Sequence, residues 1–124
     1  MPELSGQIGQ IALTVADVDM ALGFYRDILG LPFLFQPSPQ LAFLQAGSTR
    51  LMLSTSQGAG AVGANSVLYF NVTDISATYN ALIGKGATPE RAPQLAATMS
   101  DHELWLGFVR DPDNNLVSLM EEKR

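Results

Sequence analysis

Residues 10–30, QIALTVADVDMALGFYRDILG, decide the fold of this chain. Apolar side chains alternate with smaller or more polar ones from Ile11 to Val15, which is the period of a strand with one buried face. Asp17 follows, and its carboxylate can accept hydrogen bonds from the free N–H groups of a first helical turn. The next apolar residues recur at helical spacing, and Gly30 can adopt the left-handed conformation that ends a helix. The stretch predicts a strand, an Asp cap, a helix and a Gly stop.

The same pattern recurs later in the chain. Residues 67–75, VLYFNVTDI, align with residues 10–18 at a shift of 57 positions, so that Asp74 takes the place of Asp17. Gly86 ends the second predicted helix. A module of about 60 residues buries too little surface to be stable alone. We therefore expect residues 1–124 to form one domain from two similar modules.

Each predicted helix is followed by three predicted strands. In the first module these strands are 31–36, 41–46 and 49–55, and in the second they are 88–98, 104–110 and 116–121. The second module opens with a strand at 66–73 and a helix that runs to about residue 85. The expected organisation is a first βαβββ module at 6–56, a linker at 57–65 and a second βαβββ module at 66–123. The predicted class is α+β.

The linker contains a literal match to the dinucleotide-binding pattern G-x-G-x-x-G, at Gly58, Gly60 and Gly63. That pattern requires a helix directly after the glycines, because the helix N-terminus holds the pyrophosphate. The next predicted element is a strand instead. We interpret the glycines as a flexible connection and reject a nucleotide site.

The sequence Asp111-Pro112-Asp113-Asn114-Asn115 imitates the start of a calcium loop, with Glu122 at the twelfth position. A calcium loop needs glycine at its sixth position for a sharp bend, and this chain has Leu116 there. The flanking residues alternate with the period of strands. A hairpin turn, in which asparagine takes the left-handed conformation, is the favoured interpretation.

Composition excludes several classes of function. The net charge is −5 and the isoelectric point is about 4.5, which argues against nucleic acid as a partner because that needs a basic patch. No apolar run approaches the roughly 20 residues of a membrane span. The polar start, MPELSGQ, has no signal-peptide pattern, and the absence of cysteine suits a reducing cytoplasm. We expect a cytoplasmic protein with no membrane partner.

Two segments carry a resemblance to a known family. The first is FYRDILGLPF at 24–33 and the second is FVRDPDNNLVSLMEE at 108–122. With the repeated modules, they make the chain similar to the vicinal oxygen chelate superfamily, which includes glyoxalase I, bleomycin-resistance proteins and extradiol dioxygenases. The resemblance implies that the two modules form a curled mixed sheet around a cleft, and that chains pair as dimers.

Enzymes of that superfamily usually hold a divalent metal in the cleft, with His, Glu, His and Glu as typical ligands and Gln sometimes in the first place. The resemblance puts these four positions at Gln10, Met52, Val67 and Ser118. A thioether suits soft Cu(I) rather than zinc, nickel, magnesium or manganese, and valine offers no donor atom. Ser118 is a neutral and poor ligand. We expect no metal and no cofactor.

The resemblance and the strand period together predict an apolar ligand-binding cleft. The expected lining is Gln10, Met52, Ser54, Val67, Leu104, Leu106, Phe108, Leu116, Ser118 and Met120. Such a lining suits a flat or aliphatic organic ligand held by few hydrogen bonds. The prediction is a metal-independent small-molecule binding protein that sequesters a drug or other organic ligand. The alternative packing fills the cleft with these same side chains.

His102 is the chain's only histidine, in SDHELW at 100–105. Its proton affinity suits a general base at neutral pH, which supports an alternative function as a glyoxalase-like lyase or isomerase with His102 as base or with an atypical metal site. We favour a structural role, in which His102 ends a loop and bonds to backbone. Neighbours on a strand point to opposite faces, so we expect Asp101 and Glu103 to share one side and His102 to face the other.

The apolar fraction of 47% is high for so short a chain. An open cleft would also leave strand edges to be covered. We therefore predict a two-fold homodimer, which is the commonest closed assembly.

Overall fold

The computed structural model describes residues 4–55 and 61–124. By contacts between residues the chain divides into two compact units, Met1–Val62 and Gly63–Arg124. The elements of the first unit are β1 (Gln10–Thr14), α1 (Val18–Leu22), a π-helical segment (Gly23–Ile28), β2 (Phe33–Ser38), β3 (Leu41–Ala46) and β4 (Thr49–Ser54). Those of the second unit are β5 (Leu68–Asn71), α2 (Ile75–Gly84), β6 (Thr88–Thr98), β7 (Glu103–Arg110) and β8 (Leu116–Lys123).

Each unit contains one four-stranded sheet, and the two sheets have the same topology. The strand order is β1-β4-β3-β2 in the first and β5-β8-β7-β6 in the second. In both sheets the opening strand pairs in parallel with the last strand, and the other pairs are antiparallel. The predicted α+β class and the two tandem βαβββ modules are confirmed.

The predicted caps and stops explain where the helices begin and end. The Asp17 carboxylate accepts the Met20 N–H at 3.0 Å, and the Asp74 carboxylate accepts the Ala77 N–H at 3.1 Å. Gly30 and Gly86 both have positive φ, at 79° and 106°, after the two helices. Within the described ranges, no helix is long and apolar enough to cross a membrane.

The first helix differs from the predicted regular one. After Leu22 the hydrogen bonding widens to a π-helix, in which the Leu29 N–H donates to the Phe24 carbonyl at 2.9 Å. Phe24 and Tyr25 are both buried, and their rings meet edge to face at 4.9 Å between centroids. The helical spacing of Val18, Ala21 and Leu22 predicts Tyr25, but not Phe24, on the buried face. We attribute the wider turn to the burial of these adjacent aromatic rings, since neighbours in a regular helix point about 100° apart.

The first strand after that helix begins later than predicted, at Phe33 instead of residue 31. The Leu31 N–H donates to the Tyr25 carbonyl at 3.1 Å, so Leu31 still belongs to the end of the helix. The strand predicted at 66–73 is also shorter, and covers Leu68–Asn71. The remaining strands lie within two residues of their predicted bounds.

Each sheet packs its helix against one face. In the first sheet the side chains on that face include Leu51 and Leu53, which are 1% and 0% exposed. In the second sheet they include Val109, Val117 and Leu119. Because side chains alternate along a strand, the residues between them point to the other side of the sheet. We call these other sides the first and the second helix-free face.

Trp105 lies at one end of the second sheet, in register with Glu121 and with the same alternation as Val109. The Lys123 ammonium sits 4.3 Å from the centre of its indole ring. The indole N–H donates to the Glu103 carboxylate at 3.1 Å. These contacts fix the ring on the side of the sheet opposite the second helix-free face.

Candidate functional site

The first helix-free face carries three of the predicted lining residues. Met52 lies in register with Ala12 on β1 and with Phe43 on β3, and Ser54 lies in register with Thr14. Gln10, at the start of β1, is close to Met52, since the Gln10 Nε2 is 3.6 Å from the Met52 sulfur. The structure thus brings Gln10, Met52 and Ser54 to one face of one sheet.

The amide of Gln10 is already engaged. Its Oε1 accepts a hydrogen bond from the Arg50 Nε at 2.8 Å. The Arg50 guanidinium in turn lies 5.3 Å from the centre of the Phe43 ring. A cation therefore stands at the only oxygen that Gln10 could offer to a metal ion.

Six further predicted residues share the second helix-free face. Phe108 is in register with Ser118, and Leu106 is in register with Met120. Alternation along β7 and β8 adds the two outer members of the set. The six are Leu104, Leu106, Phe108, Leu116, Ser118 and Met120.

Ser118 is fully buried on this face, with 0% of its surface exposed. It lies on β8 between Tyr69 of β5 and Phe108 of β7, in register with both. The two rings meet edge to face at 6.2 Å between centroids, and so close over the serine. The Ser118 hydroxyl lies 3.1 Å from the Gly107 carbonyl and 3.2 Å from the Leu119 carbonyl, to which it can donate.

Val67 is half-buried and precedes β5 by one residue. It has no register partner, and alternation from Tyr69 directs it toward the second helix-free face. The internal repeat agrees with these positions. Met52 pairs with Ala12 and Ser118 pairs with Tyr69, and Ala12 and Tyr69 are equivalent at the shift of 57 positions.

The donor set at these positions does not fit a divalent metal. Met52 and Val67 supply no oxygen or nitrogen, the Gln10 oxygen is bonded to a guanidinium, and the Ser118 hydroxyl is satisfied by backbone carbonyls. Hard and borderline divalent ions need carboxylate, imidazole or several oxygen donors. Among the residues that the structure describes, no group of three or more His, Cys, Asp or Glu could hold a metal ion.

The hairpin turn at 111–115 uses its acidic residue internally. The Asp111 carboxylate is buried and accepts hydrogen bonds from the Asp113 N–H, the Asn115 N–H and the Asn115 side-chain amide, at 2.9, 2.8 and 2.9 Å. Asn114 has a φ of 68°, the left-handed conformation expected of an asparagine in this turn. The hairpin interpretation of the sequence is confirmed.

His102 contacts carboxylates rather than backbone through its ring. Its Nδ1 lies 2.7 Å from the Asp101 carboxylate, and its Nε2 lies 3.8 Å from the Glu122 carboxylate. The hydrogen bond from His102 holds the pKa of Asp101 below its usual range. The expectation that Asp101 and His102 face opposite sides is wrong, because β7 begins only at Glu103 and the preceding residues form a bend. His102 does end the loop, and its carbonyl accepts the Met99 N–H at 2.8 Å.

The sequence interpretation missed two arginines on the helix-free faces. Arg50 stands beside Phe43 in the first module, and Arg91 lies 6.0 Å from the centre of the Phe108 ring in the second. Arg91 and Phe108 are register partners on β6 and β7. Because side chains alternate along a strand, the sequence already indicates that Arg50 lies on the same face as Met52. Arg91 follows a register irregularity of β6, which no residue pattern locates.

Comparison with known proteins identifies the family. A model of the Glyoxalase/Bleomycin resistance protein/Dioxygenase superfamily matches residues 7–119. The chain belongs to this superfamily. That membership confirms the family resemblance that the two quoted segments suggested.

Relatives within the superfamily include proteins of known structure and one of unknown function. YraH, an uncharacterised protein of Bacillus subtilis (strain 168), is 32% identical over 126 residues, which cover 89% of this chain and 94% of YraH. The crystal structure of lactoylglutathione lyase from Agrobacterium tumefaciens matches with a TM-score of 0.78 at 23% identity, over 95% of each chain. A glyoxalase-related enzyme from Fulvimarina pelagi matches with a TM-score of 0.76 at 20% identity, over 94% of this chain and 88% of that one. At these identities the two structures establish the fold alone.

Proposed function

We propose that this chain is a metal-independent binding protein for a small organic molecule, of a kind that sequesters a drug or another organic ligand. The observation that carries the proposal is the hydrogen bond from Arg50 to Gln10, 2.8 Å long. Gln10 is the one residue of the four metal-ligand positions that retains a usable oxygen donor. A guanidinium bonded to that oxygen would repel a divalent cation at the same point.

The second helix-free face supports the same function. Its side chains are mainly apolar, and Phe108 and Leu116 line a cavity of about 130 Å³ there. Small-molecule sites combine such apolar walls with a few polar groups that fix orientation. The methionines, Met52 and Met120, add side chains that adapt to different ligand shapes.

Metal binding by purified protein tests the proposal. Protein prepared without chelator is expected to contain no stoichiometric nickel, zinc, manganese or iron by elemental analysis. The same protein is expected to keep its melting temperature when one of these ions is added in excess, because only a ligand of the native state raises it. EDTA-treated protein is the control. A stoichiometric metal, or a melting temperature raised by one ion and restored by EDTA, would contradict the proposal.

A thermal-shift screen against antibiotics and metabolites then addresses the ligand. We expect at least one organic compound to raise the melting temperature in proportion to the logarithm of its concentration. Compounds that act on the proposed faces should lose their effect when Met52 or Phe108 is changed to alanine.

The second candidate function is a lyase or isomerase that uses His102 as a base. It is favoured by the 2.7 Å contact with Asp101, because a carboxylate on Nδ1 orients the ring. The Nε2, which lies 3.8 Å from the Glu122 carboxylate, would be the nitrogen that takes the proton. This function would be supported over simple binding if His102→Gln abolished a detected turnover and variants of Gln10 retained it. Retention of any detected turnover in His102→Gln would exclude it.

A further inference from the structure

On the second helix-free face, the contacts of Arg91 differ from those of Arg110. Arg110 pairs with the Glu90 carboxylate at 2.9 Å and donates to the Asn114 carbonyl at 3.0 Å. Among the described residues, no carboxylate lies within ion-pair distance of the Arg91 guanidinium, whose contact is with the Phe108 ring. Glu90 is the nearest acid along the chain, and Arg110 neutralises it. Arg91 is thus an uncompensated cation in a protein of net charge −5.

Irregular pairing of β6 holds Arg91 over Phe108. The register between β6 and β7 shifts both before Arg91 and after it, and the strand carries Pro89 and Pro93 on either side. Pro93 packs directly against Gly107, where an added Cβ would meet the proline ring at 3.3 Å. Bulges of this kind turn individual side chains and are common beside functional sites. Here the shifts leave Arg91 and Phe108 as an isolated register pair.

Arg91 stands at an open pocket whose volume is about that of one aromatic ring. Glu90, Arg91, Phe108 and Leu116 line a space of about 130 Å³ on this face. A space of roughly 150 Å³ admits benzene in an engineered protein core. A ligand ring in this space would pack against Phe108, whose ring meets that of Tyr69 edge to face at 6.2 Å between centroids.

We propose that this cavity recognises an aromatic carboxylate, with the ring against Phe108 and Leu116 and the carboxylate on the Arg91 guanidinium. A planar guanidinium offers two parallel N–H donors that match a carboxylate, and the described contact of the Arg91 guanidinium is with an apolar ring, 6.0 Å from the centre of Phe108. The proposal rests on the function proposed above, because it names the class of ligand that the binding protein holds. It also assigns a ligand-binding role to Arg91.

Benzoate and benzyl alcohol are matched probes for this site, since they share the ring and differ in charge. Titrations followed through the backbone amide signals of the isotope-labelled chain give both affinities and the location of binding. We expect benzoate to bind about tenfold more tightly than benzyl alcohol, since hydrogen bonds between charged groups discriminate by at least that much. The shifted signals should include the amides of Arg91 and Phe108.

Three variants assign that preference to a residue. Arg91→Gln should abolish the preference for benzoate, and Arg91→Lys should retain only part of it because lysine lacks the planar pair of donors. The matched control is Arg26→Gln. Arg26 also lies over a phenylalanine, at 5.7 Å from the Phe33 ring, but it pairs with Asp27 at 2.8 Å. That control should bind benzoate as the parent does.

Equal binding of benzoate and benzyl alcohol by the parent would overturn this inference and leave the binding function intact. A preference for benzoate that persists in Arg91→Gln would do the same. Failure of both probes to bind would also overturn it. The binding function itself is decided separately by the metal analysis and the thermal-shift screen.

Discussion

The contact between Asp101 and His102 makes stability in acid depend in part on a surface carboxylate. The hydrogen bond from His102 lowers the Asp101 pKa, and nearby Arg124 acts in the same direction. The unfolded chain therefore binds a proton at Asp101 more readily than the folded chain does. By linkage, this group's contribution to stability is present above the ordinary aspartate pKa of about 3.9 and is lost as the pH falls through the lowered folded value.

We predict that the free energy of unfolding of Asp101→Asn falls less than that of the parent between pH 5 and pH 3. Urea unfolding of both proteins at each pH measures this difference. His102→Gln should flatten the same part of the curve, because it removes the imidazole ring that lowers the Asp101 pKa. Some acid dependence should remain, since Arg26 lowers the pKa of Asp27 in the same way. Superimposable curves for the parent and Asp101→Asn would show that the contact does not influence folding.

At the same scale, Arg91 and Ser118 mark the limit of prediction from residue types. Alternation puts Ser118 beside Leu116 and Met120 on one face, because the period of two is a property of the strand. It could not indicate that Tyr69 and Phe108 close over the serine, which depends on ring positions in two other strands. Likewise, the ligand-binding role proposed for Arg91 depends on the pairing of the Glu90 carboxylate with Arg110, which residue types do not indicate.

Among the elements, the hairpin turn between β7 and β8 is tied to the segment that precedes β5. The Asn115 side-chain oxygen accepts a hydrogen bond from the Asn65 backbone N–H at 3.3 Å. Gly63 lies close to the backbone of the same turn. A Cβ at Gly63 would lie 2.9 Å from the Asp113 carbonyl oxygen, and Gly63 has a φ of 77°. Both the conformation and the close approach require glycine here.

Gly63→Ala and Gly47→Ala separate these two requirements. Gly47 also has a positive φ, 61°, but an added Cβ there would meet nothing within 4 Å. We expect Gly47→Ala to lower the free energy of unfolding by about 1 kcal/mol for the conformation alone. Gly63→Ala should lower it further, because the turn must also move away. Equal effects in urea unfolding would mean that the turn shifts at no cost.

The helices show which elements a sequence specifies. Asp17, Gly30, Asp74 and Gly86 determine the ends through local hydrogen bonds and backbone conformation, so their roles were predictable. The π-helical segment was not, because it follows from packing Phe24 and Tyr25 together against the rest of the first module. Local signals thus located the first helix, and tertiary packing set its internal hydrogen bonding.

For the molecule as a whole, we predict a two-fold homodimer in solution. Edge strand β2 exposes three consecutive apolar residues, Phe33, Leu34 and Phe35, at 41%, 41% and 48%. An exposed apolar edge strand invites pairing with another chain, and a second copy is the simplest partner. Sedimentation at micromolar concentration should give twice the chain mass of 13.3 kDa.

Leu34→Lys tests whether β2 takes part in that dimer. If β2 lies in the dimer interface, the lysine charge would be buried against the partner chain, and the sedimenting species should shift toward the monomer. Leu95→Lys, on edge strand β6, is the control for adding a charge to an exposed edge strand. A parent that sediments only as a monomer would refute the prediction. The fold was predictable at this scale because the repeat and the family segments agree, but the ligand was not, because the same scaffold serves several chemistries.

The position of Trp105 gives the protein a built-in optical reporter. It is the only tryptophan in the chain, and its contacts with Lys123 and Glu103 all lie within the second module. Its fluorescence emission therefore follows the unfolding of that module, while far-ultraviolet circular dichroism follows the secondary structure of both. Coincident urea transitions by the two signals would mean that the repeated modules unfold as one cooperative unit. A tryptophan transition at lower urea would instead identify the second repeat as the first to open.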